Sequence, residues 1–227
     1  MDKMKIVNLF VLLLFISASS QAQDWANLKR FQNENQKLAE APANSKRVVF
    51  MGNSITEGWI KTHPDFFTNN DFFNRGISGQ TTPQMLIRFR ADVINLKPKV
   101  VVILAGINDI AGNTGPSTLE MIEDNIESMA VLAKGAGIKV VLSSVLPANT
   151  FKWAPDKDPA DKVIALNDWI KKYAKANGHV YLDYYSAMVD DLKGLPTSLS
   201  GDGVHPNEAG YLIMEPLVLK AIARARK

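Results

Sequence analysis

The sequence predicts an α/β protein, a three-layer α/β/α sandwich around a central, mostly parallel five-stranded sheet. Three observations carry this. Short apolar, largely β-branched runs at residues 48–51, 100–105 and 140–145 lack the alternation of a half-exposed strand, so they read as strands covered on both faces. Amphipathic stretches of roughly 10–18 residues separate them, the signature of βαβ units. Glycine, proline and asparagine punctuate the junctions.

The elements follow in order. Residues 25–38 are amphipathic, with Trp25, Leu28, Phe31 and Leu38 on one approximate helical face, and Ala41-Pro42-Ala43-Asn44-Ser45 breaks the pattern. Residues 47–51 form the first strand and 72–74 a short second one. The spacing predicts a helix over 83–96: Pro83 suits a first turn, Met85, Leu86, Phe89, Val93 and Leu96 point one way, and Pro98 follows the end. Residues 99–105 are the third strand. Ser117 is placed to cap a helix over 118–134, which Gly135 and Gly137 terminate. A fourth strand over 139–145 closes at Pro147. A helix over 162–176 stops at Asn177-Gly178, a fifth strand spans 179–183, and 186–192 is expected as a short helix. After a polar loop over 195–204, Asn207 begins a last helical region over 208–226. Pro216 inside that region predicts a kink or a break into two pieces.

Composition bounds the protein's class. A chain of 227 residues with 46% hydrophobic and 22% charged residues is long enough for one well-filled core. Residues 1–22 read as a signal peptide: Lys3 and Lys5 form the positive start, 6–16 the apolar centre, and Ser20-Gln21-Ala22 the cleavage site before Gln23. A membrane anchor is the weaker reading, because the apolar stretch is short of the ~20 residues a span needs. Residues 23–227 are then one exported domain, with 23–44 as a helical extension and no stable membrane insertion after cleavage. The net charge of +3 lies largely at the chain ends, with no basic run among aromatics, which argues against nucleic acid as a partner. The absence of cysteine excludes a disulfide, a lipid-accepting thiol and a thiolate nucleophile. Oligomeric state is left open.

Chemistry enters at the junctions. In open parallel sheets the site lies beyond the C-terminal ends of the strands. Ser54 follows the first strand at once in Gly52-Asn53-Ser54. Gly79 follows the second within a few residues in Gly76-Ile77-Ser78-Gly79-Gln80, and Asn108 follows the third in Gly106-Ile107-Asn108-Asp109. All three open onto one sheet edge. A serine hydroxyl needs a base to become a nucleophile, and the helix N-terminus beside it favours developing negative charge. Taken alone, Ser54 equally suits a helix N-cap, with Glu57 three residues on as in a capping box.

Of the three histidines, His63 precedes Pro64 in a polar segment and His179 starts a strand, positions that suit structure or surface. His205 lies in Asp202-Gly203-Val204-His205-Pro206-Asn207, where Asp202 is near enough in a turning loop to accept a hydrogen bond from the ring. Glycine lets a backbone N–H approach a substrate, and asparagine supplies an uncharged NH₂ donor, both suited to a developing oxyanion. Turn and cap roles suit Gly79, Asn108 and Asp109 singly. Together the residues make a complete acyl-transfer set.

In these blocks and their order the chain resembles the SGNH (GDSL-type) hydrolase superfamily, whose four letters fall on Ser54, Gly79, Asn108 and His205. Its Gly-x-Asn-Asp and Asp-x-x-His blocks are matched at 106–109 and 202–205. The resemblance implies the flavodoxin-like SGNH fold, Ser54 as nucleophile, His205 as base and Asp202 as orienting acid. It also implies an oxyanion hole of the Ser54 N–H, the Gly79 N–H and the Asn108 side chain. One departure stands out: Asn53 occupies the place where the family's first block usually has Asp.

Residues 59–70, 110–116 and 148–161 are expected to shape the pocket, with Trp59, Phe66, Phe67, Phe151 and Trp153 among Asn113, Asn149 and Thr150. Rings among amides suit a sugar, with its apolar faces and polar edges, and equally an aryl ester; simple loop packing is the alternative. Asn53, Trp59, Gln80, Asn149 and Trp153 are the expected substrate contacts. No Leu- and Val-rich lid insertion is present. The expected partner is a small acylated molecule such as an acetylated saccharide, and the expected activity is a short-acyl esterase. A lysophospholipase or thioesterase is the alternative enzyme, and a carbohydrate-binding protein on the same fold the non-catalytic one. No His/Asp/Glu cluster has metal-ligand spacing and no dinucleotide or phosphate-loop motif occurs, so no metal or cofactor is expected.

Overall fold

The computed structural model describes residues 24–41 and 46–227. The signal-peptide reading of 1–22 lies outside the described residues. Five parallel strands, β1 (Val48–Gly52), β2 (Phe72–Gly76), β3 (Val100–Leu104), β4 (Lys139–Ser143) and β5 (Val180–Leu182), pair in the order β2-β1-β3-β4-β5. The helices are α1 (Gln32–Glu40), α2 (Ser54–Thr62), α3 (Pro64–Thr68), α4 (Thr82–Asp92), α5 (Ile107–Ala111), α6 (Leu119–Gly135), α7 (Ala160–Asn177), α8 (Tyr185–Met188) and α9 (Glu208–Ala225). Every residue of β1 and β3 is buried, as their uninterrupted apolar runs require.

Helices α4, α6 and α7 pack against one another in one layer, while Trp59 of α2 stacks on Tyr211 of α9 in the other. Under that second layer sits an aromatic cluster of Phe50, Trp59, Phe66, Phe67 and Phe72. The chain leaves β1 toward β2 and returns past it to β3. The strand order therefore reverses between β1 and β3, and a crevice opens there at the C-terminal edge. Among the described residues no helix is long and apolar enough to cross a membrane.

Several elements depart from the pattern read from sequence. The N-terminal stretch is helical only from Gln32, and Trp25 and Leu28 are half-exposed while Phe31 is buried. A tight turn at Asp24–Asn27 fixes that segment before any helical face forms, with the Leu28 and Lys29 N–H groups donating to the Asp24 carboxylate. Helix α4 ends at Asp92, and a 3₁₀ turn at Ile94–Leu96 carries the rest of the apolar pattern. Thr118, not Ser117, caps α6, accepting from the Met121 N–H at 3.2 Å. The short helix expected over 186–192 runs only over Tyr185–Met188. Helix α9 runs through Pro216 without a break. Pro216 and Leu212 are exposed, so water can reach the carbonyl that loses its N–H partner. Residues 59–70, expected as a pocket loop, instead finish α2 and form α3, which Pro64 starts at its first turn.

Candidate active site

The site begins with two glycines that let α2 approach the sheet. A Cβ on Gly52 would lie 2.0 Å from the Thr56 Oγ1, and one on Gly76 would lie 2.2 Å from the Glu57 nitrogen. With neither present, α2 starts directly on the strand ends and its first residue, Ser54, stands at the crevice. Asn53 caps the helix, its Oδ1 accepting from the Ile55 N–H at 3.0 Å. The capping role that Ser54 would have filled is thus taken by its neighbour, and the serine hydroxyl is left for other work. Glu57 makes no capping box either. It reaches across to Ser78, accepting from that residue's N–H at 2.7 Å and hydroxyl at 2.6 Å. Burial raises the Glu57 pKa, but hydrogen bonds from Lys61 and Ser78 outweigh it and bring the group down to about 2.

The Ser54 Oγ lies 2.8 Å from the His205 Nε2, and the His205 Nδ1 lies 2.6 Å from the Asp202 Oδ2. An ionised carboxylate can only accept, so the proton sits on Nδ1 and the Nε2 lone pair faces Ser54. The loop is built to hold this geometry. Gly203 takes a φ of +84° in the turn. The Asp202 Oδ1 accepts the Val204 and His205 N–H groups at 2.9 and 2.8 Å, and the Ser200 hydroxyl donates to it at 3.1 Å. Burial pushes the Asp202 pKa up, but these backbone bonds and the His205 ring more than reverse it. The carboxyl is held well below the usual carboxylate range.

On the other side of the crevice, Gly79 has a φ of +77°, and a Cβ there would meet nothing within 4 Å. Conformation, not crowding, calls for glycine at this position. Asn108 follows β3 through Gly106, whose φ of +116° favours glycine and where a Cβ would lie 2.7 Å from the Leu166 side chain. The Asn108 Nδ2 donates one hydrogen to the Gln80 carbonyl at 2.9 Å, which leaves its second hydrogen for the crevice. Next to it, Asp109 accepts the Thr82 N–H and hydroxyl, tying α5 to the start of α4. Burial raises the Asp109 pKa to about 6 against those hydrogen bonds.

Ser54, Ser78, Gly79, Asn108, Asn113, Trp153 and His205 line a solvent-open cavity of ≈ 390 Å³. Serine, imidazole and carboxylate are in line for proton transfer, and two donors stand opposite. That arrangement can form and hydrolyse an acyl-serine.

The expected substrate contacts divide. Trp153 is 45% exposed, its ring 6.1 Å from that of His205 and backed at 5.1 Å by buried Phe151. Trp59 does not reach the cavity: it is 1% exposed, stacked between Phe66 and Tyr211, with its Nε1 on Glu215. Asn53 is fully buried in its capping role. The Gln80 side chain turns inward to Arg88 and Ala26, and the Asn149 amide is bound to the Leu192 carbonyl. Phe66 and Phe67 belong to the aromatic cluster. Ser78, given no role from sequence, lines the cavity; its place directly before Gly79 was the available signal. His63 pairs with Glu215 at 2.7 Å, a structural role as its position suggested. Among the described residues no group of three or more His, Asp or Glu side chains is placed to hold a metal ion.

A sequence profile of the GDSL-like lipase/acylhydrolase family matches residues 50–213. The crystal structure of a GDSL-like lipase from Bacteroides thetaiotaomicron is 53% identical, covers 88% of this chain and 98% of its own, and superposes with a TM-score of 0.85. An acetylxylan esterase from Geobacillus stearothermophilus is 28% identical over 66% of this chain and 70% of its own length. The esterase TesA from Pseudomonas aeruginosa is 28% identical over 69% and 73% respectively.

Proposed function

The chain belongs to the GDSL-like lipase/acylhydrolase family and is an ester-hydrolysing serine hydrolase, and on that premise we propose that it removes short acyl groups, acetyl foremost, from carbohydrate alcohols. The chemistry runs in two steps. His205 takes the Ser54 proton as Oγ attacks the ester carbonyl. The resulting oxyanion is met by the Ser54 N–H, the Gly79 N–H and the free Asn108 hydrogen. His205 gives its proton to the departing alcohol, and Asp202 stabilises the imidazolium between those events. Water then attacks the acyl-serine with His205 again as base, releasing the acid and restoring the Ser54 hydroxyl.

The observation that carries this reading is the unbroken Ser54–His205–Asp202 chain, with contacts of 2.8 and 2.6 Å, beside the Asn108 amide. Support for the substrate comes from Trp153. Among the described residues it is the one large apolar side chain on the cavity wall, and it stands beside His205, where the leaving alcohol must be protonated. An exposed indole suits the apolar face of a pyranose. The acetylxylan esterase among the relatives is consistent with that class. The family's description as lipase/acylhydrolase supports a second reading, acylhydrolysis of lipid or thioester substrates.

Labelling with a fluorophosphonate followed by peptide mapping is expected to mark Ser54 alone. Ser54→Ala is expected to lose essentially all turnover of p-nitrophenyl acetate, a drop on the order of 10⁴-fold or more. A panel of acetylated xylo-oligosaccharides against lysophospholipids separates the substrate readings: turnover of the lipids without deacetylation refutes the carbohydrate version. We also propose export with cleavage before Gln23, which sequencing of the mature N-terminus tests.

A further inference from the structure

The family profile begins at residue 50, yet the described N-terminal segment, Asp24–Ala41, is bonded into the back of the catalytic crevice. The Gln80 Nε2 donates to the Ala26 carbonyl at 2.8 Å, and the Gln84 Nε2 donates to the Trp25 carbonyl at 2.7 Å. Asn35 accepts from the Arg75 Nε at 3.0 Å and donates to Asp92 at 2.6 Å. Ala26 and Phe31 are buried, and the Arg75 guanidinium lies 4.6 Å from the Phe31 ring centre.

Gln80 is the meeting point. It directly follows Gly79, is 3% exposed, and every polar group of its side chain is engaged. Its Oε1 accepts from the Arg88 Nε at 2.5 Å, its Nε2 holds Ala26, and its backbone carbonyl accepts from the Asn108 Nδ2 at 2.9 Å. Arg88 is itself fully buried. Its other arms bind the Gly52 carbonyl at 3.0 Å, the Arg75 carbonyl at 2.8 Å and Asp92 at 2.8 Å. One guanidinium thus joins the ends of β1 and β2 to the residue that both adjoins Gly79 and orients Asn108. Burying an ion costs several kcal/mol, and an apolar side chain would fill the same space without that penalty. Gly79 cannot hold its own position: it is exposed and has no Cβ for packing. Its place is set by the Asn113 bond to its carbonyl at 3.3 Å and by Gln80 behind it.

We propose that Gln80 is a positioning residue for the oxyanion hole, clamped between Arg88 and the N-terminal segment, so that this segment is a working part of the catalytic apparatus. The inference rests on the reading of Gly79 and Asn108 as oxyanion donors. It predicts a defect in transition-state stabilisation and not in substrate binding.

The test uses the full-length protein. Gln80→Met is expected to lower kcat on p-nitrophenyl acetate by about 10- to 100-fold, short of the loss from deleting a donor outright. KM should stay within about twofold. Affinity for an arylboronic acid, which forms a tetrahedral anion on Ser54, should fall by the same factor as kcat. Gln80→Glu keeps the acceptor for Arg88 but cannot donate to Ala26, so it reports on the N-terminal segment and stands alone if Gln80→Met does not fold. It is expected to lose roughly 10-fold in kcat. Adding Gln80→Met to Asn108→Ala should cost less than Gln80→Met costs alone, because both act on one oxyanion.

Wild-type kcat and boronate affinity in both Gln80 variants, with Asn108→Ala impaired, overturn the proposal while the oxyanion reading stands. Wild-type kcat in Gln80→Glu alone removes the N-terminal segment from it. Unimpaired Asn108→Ala overturns the oxyanion reading itself.

Discussion

Asp202 shows how much one side chain is asked to do. Its Oδ2 takes the His205 ring N–H, and its Oδ1 takes two backbone N–H groups and the Ser200 hydroxyl. In Asp202→Asn the ring must either lose its partner or adopt the tautomer that turns N–H toward Ser54. Loss of kcat by roughly 10²- to 10⁴-fold is expected, with KM little changed. The same change alters acid stability. The Asp202 pKa is lowered in the folded protein, so its contribution is present above the unfolded carboxylate value near 4 and is lost as pH falls below it. Wild type should therefore lose stability on acidification below about pH 4 more steeply than Asp202→Asn. Ser54, Gly79 and Asn108 were legible because each follows a strand end, and Asp202 and His205 because three residues in a turning loop bring carboxylate and ring together. The substrate contacts were not. Trp59 and Trp153 look alike in sequence, and only the packing of α2 on α9 sends one to the core and leaves the other at the crevice. The Asn for Asp change at residue 53 also finds its place: Oδ1 does the capping that either residue can perform, while the buried Nδ2 has no partner among the described residues.

At the scale of elements, the link between α5 and α4 depends on Asp109. It accepts the Thr82 N–H at 2.9 Å and hydroxyl at 2.6 Å, and Thr82 in turn accepts from Asn125 of α6. Burial raises the Asp109 pKa to about 6. An acid whose folded value lies above its unfolded one binds its proton more tightly when native. Its ionisation therefore weakens the fold as pH rises from about 4 through 6, a window above that of Asp202. A rise of that size is worth about 3 kcal/mol at most. Urea unfolding at pH 4.5 and 7.5 checks this: wild type should lose stability across that interval relative to Asp109→Asn, whose amide does not titrate. A parallel response in the two proteins would place the pH dependence elsewhere. The strands were legible to within a residue or two, because a run buried on both faces has almost no polar choice. The short helices α3 and α5 were not, since five residues carry no periodicity, and α8 was expected but with the wrong length. Their existence depends on caps such as Pro64 and the positive φ of Gly106 and Gly112. Pro216 misled for the opposite reason: local chemistry forecast a break that solvent exposure makes unnecessary.

The whole molecule sets what kind of ester it can favour. The strand order β2-β1-β3-β4-β5 places the crevice at the reversal between β1 and β3, with Ser54 and Asn108 on its two sides. Its walls come from the starts of α2 and α5, the turn at Ser78 and Gly79, Asn113, and the segments that carry Trp153 and His205. Asn113, on the cavity wall, donates to the Gly79 carbonyl at 3.3 Å, and beside that turn the Thr81 and Thr114 hydroxyls pair at 2.9 Å. Of the aromatic residues expected at the pocket, Trp59, Phe66 and Phe67 are gathered at α2 and α3 instead, and Trp153 stays on the cavity wall. Each methylene buried from water is worth about 0.8 kcal/mol, or roughly a fourfold gain in kcat/KM. An enzyme with an apolar acyl channel therefore improves steeply along a series of longer esters. Here, apart from Trp153, the described residues on the cavity wall are serine, glycine, asparagine and histidine, so added methylenes meet no aliphatic side chain. Across p-nitrophenyl acetate, butyrate, hexanoate and octanoate, kcat/KM is expected to be highest at acetate and to show no rise with length. A Trp153→Ala variant should keep that acyl profile on p-nitrophenyl esters, because under the proposed function Trp153, beside His205, meets the departing alcohol. It should lose most on acetylated oligosaccharides, with the loss in KM. A rise in kcat/KM toward octanoate would sink the short-acyl reading and favour the lipid alternative.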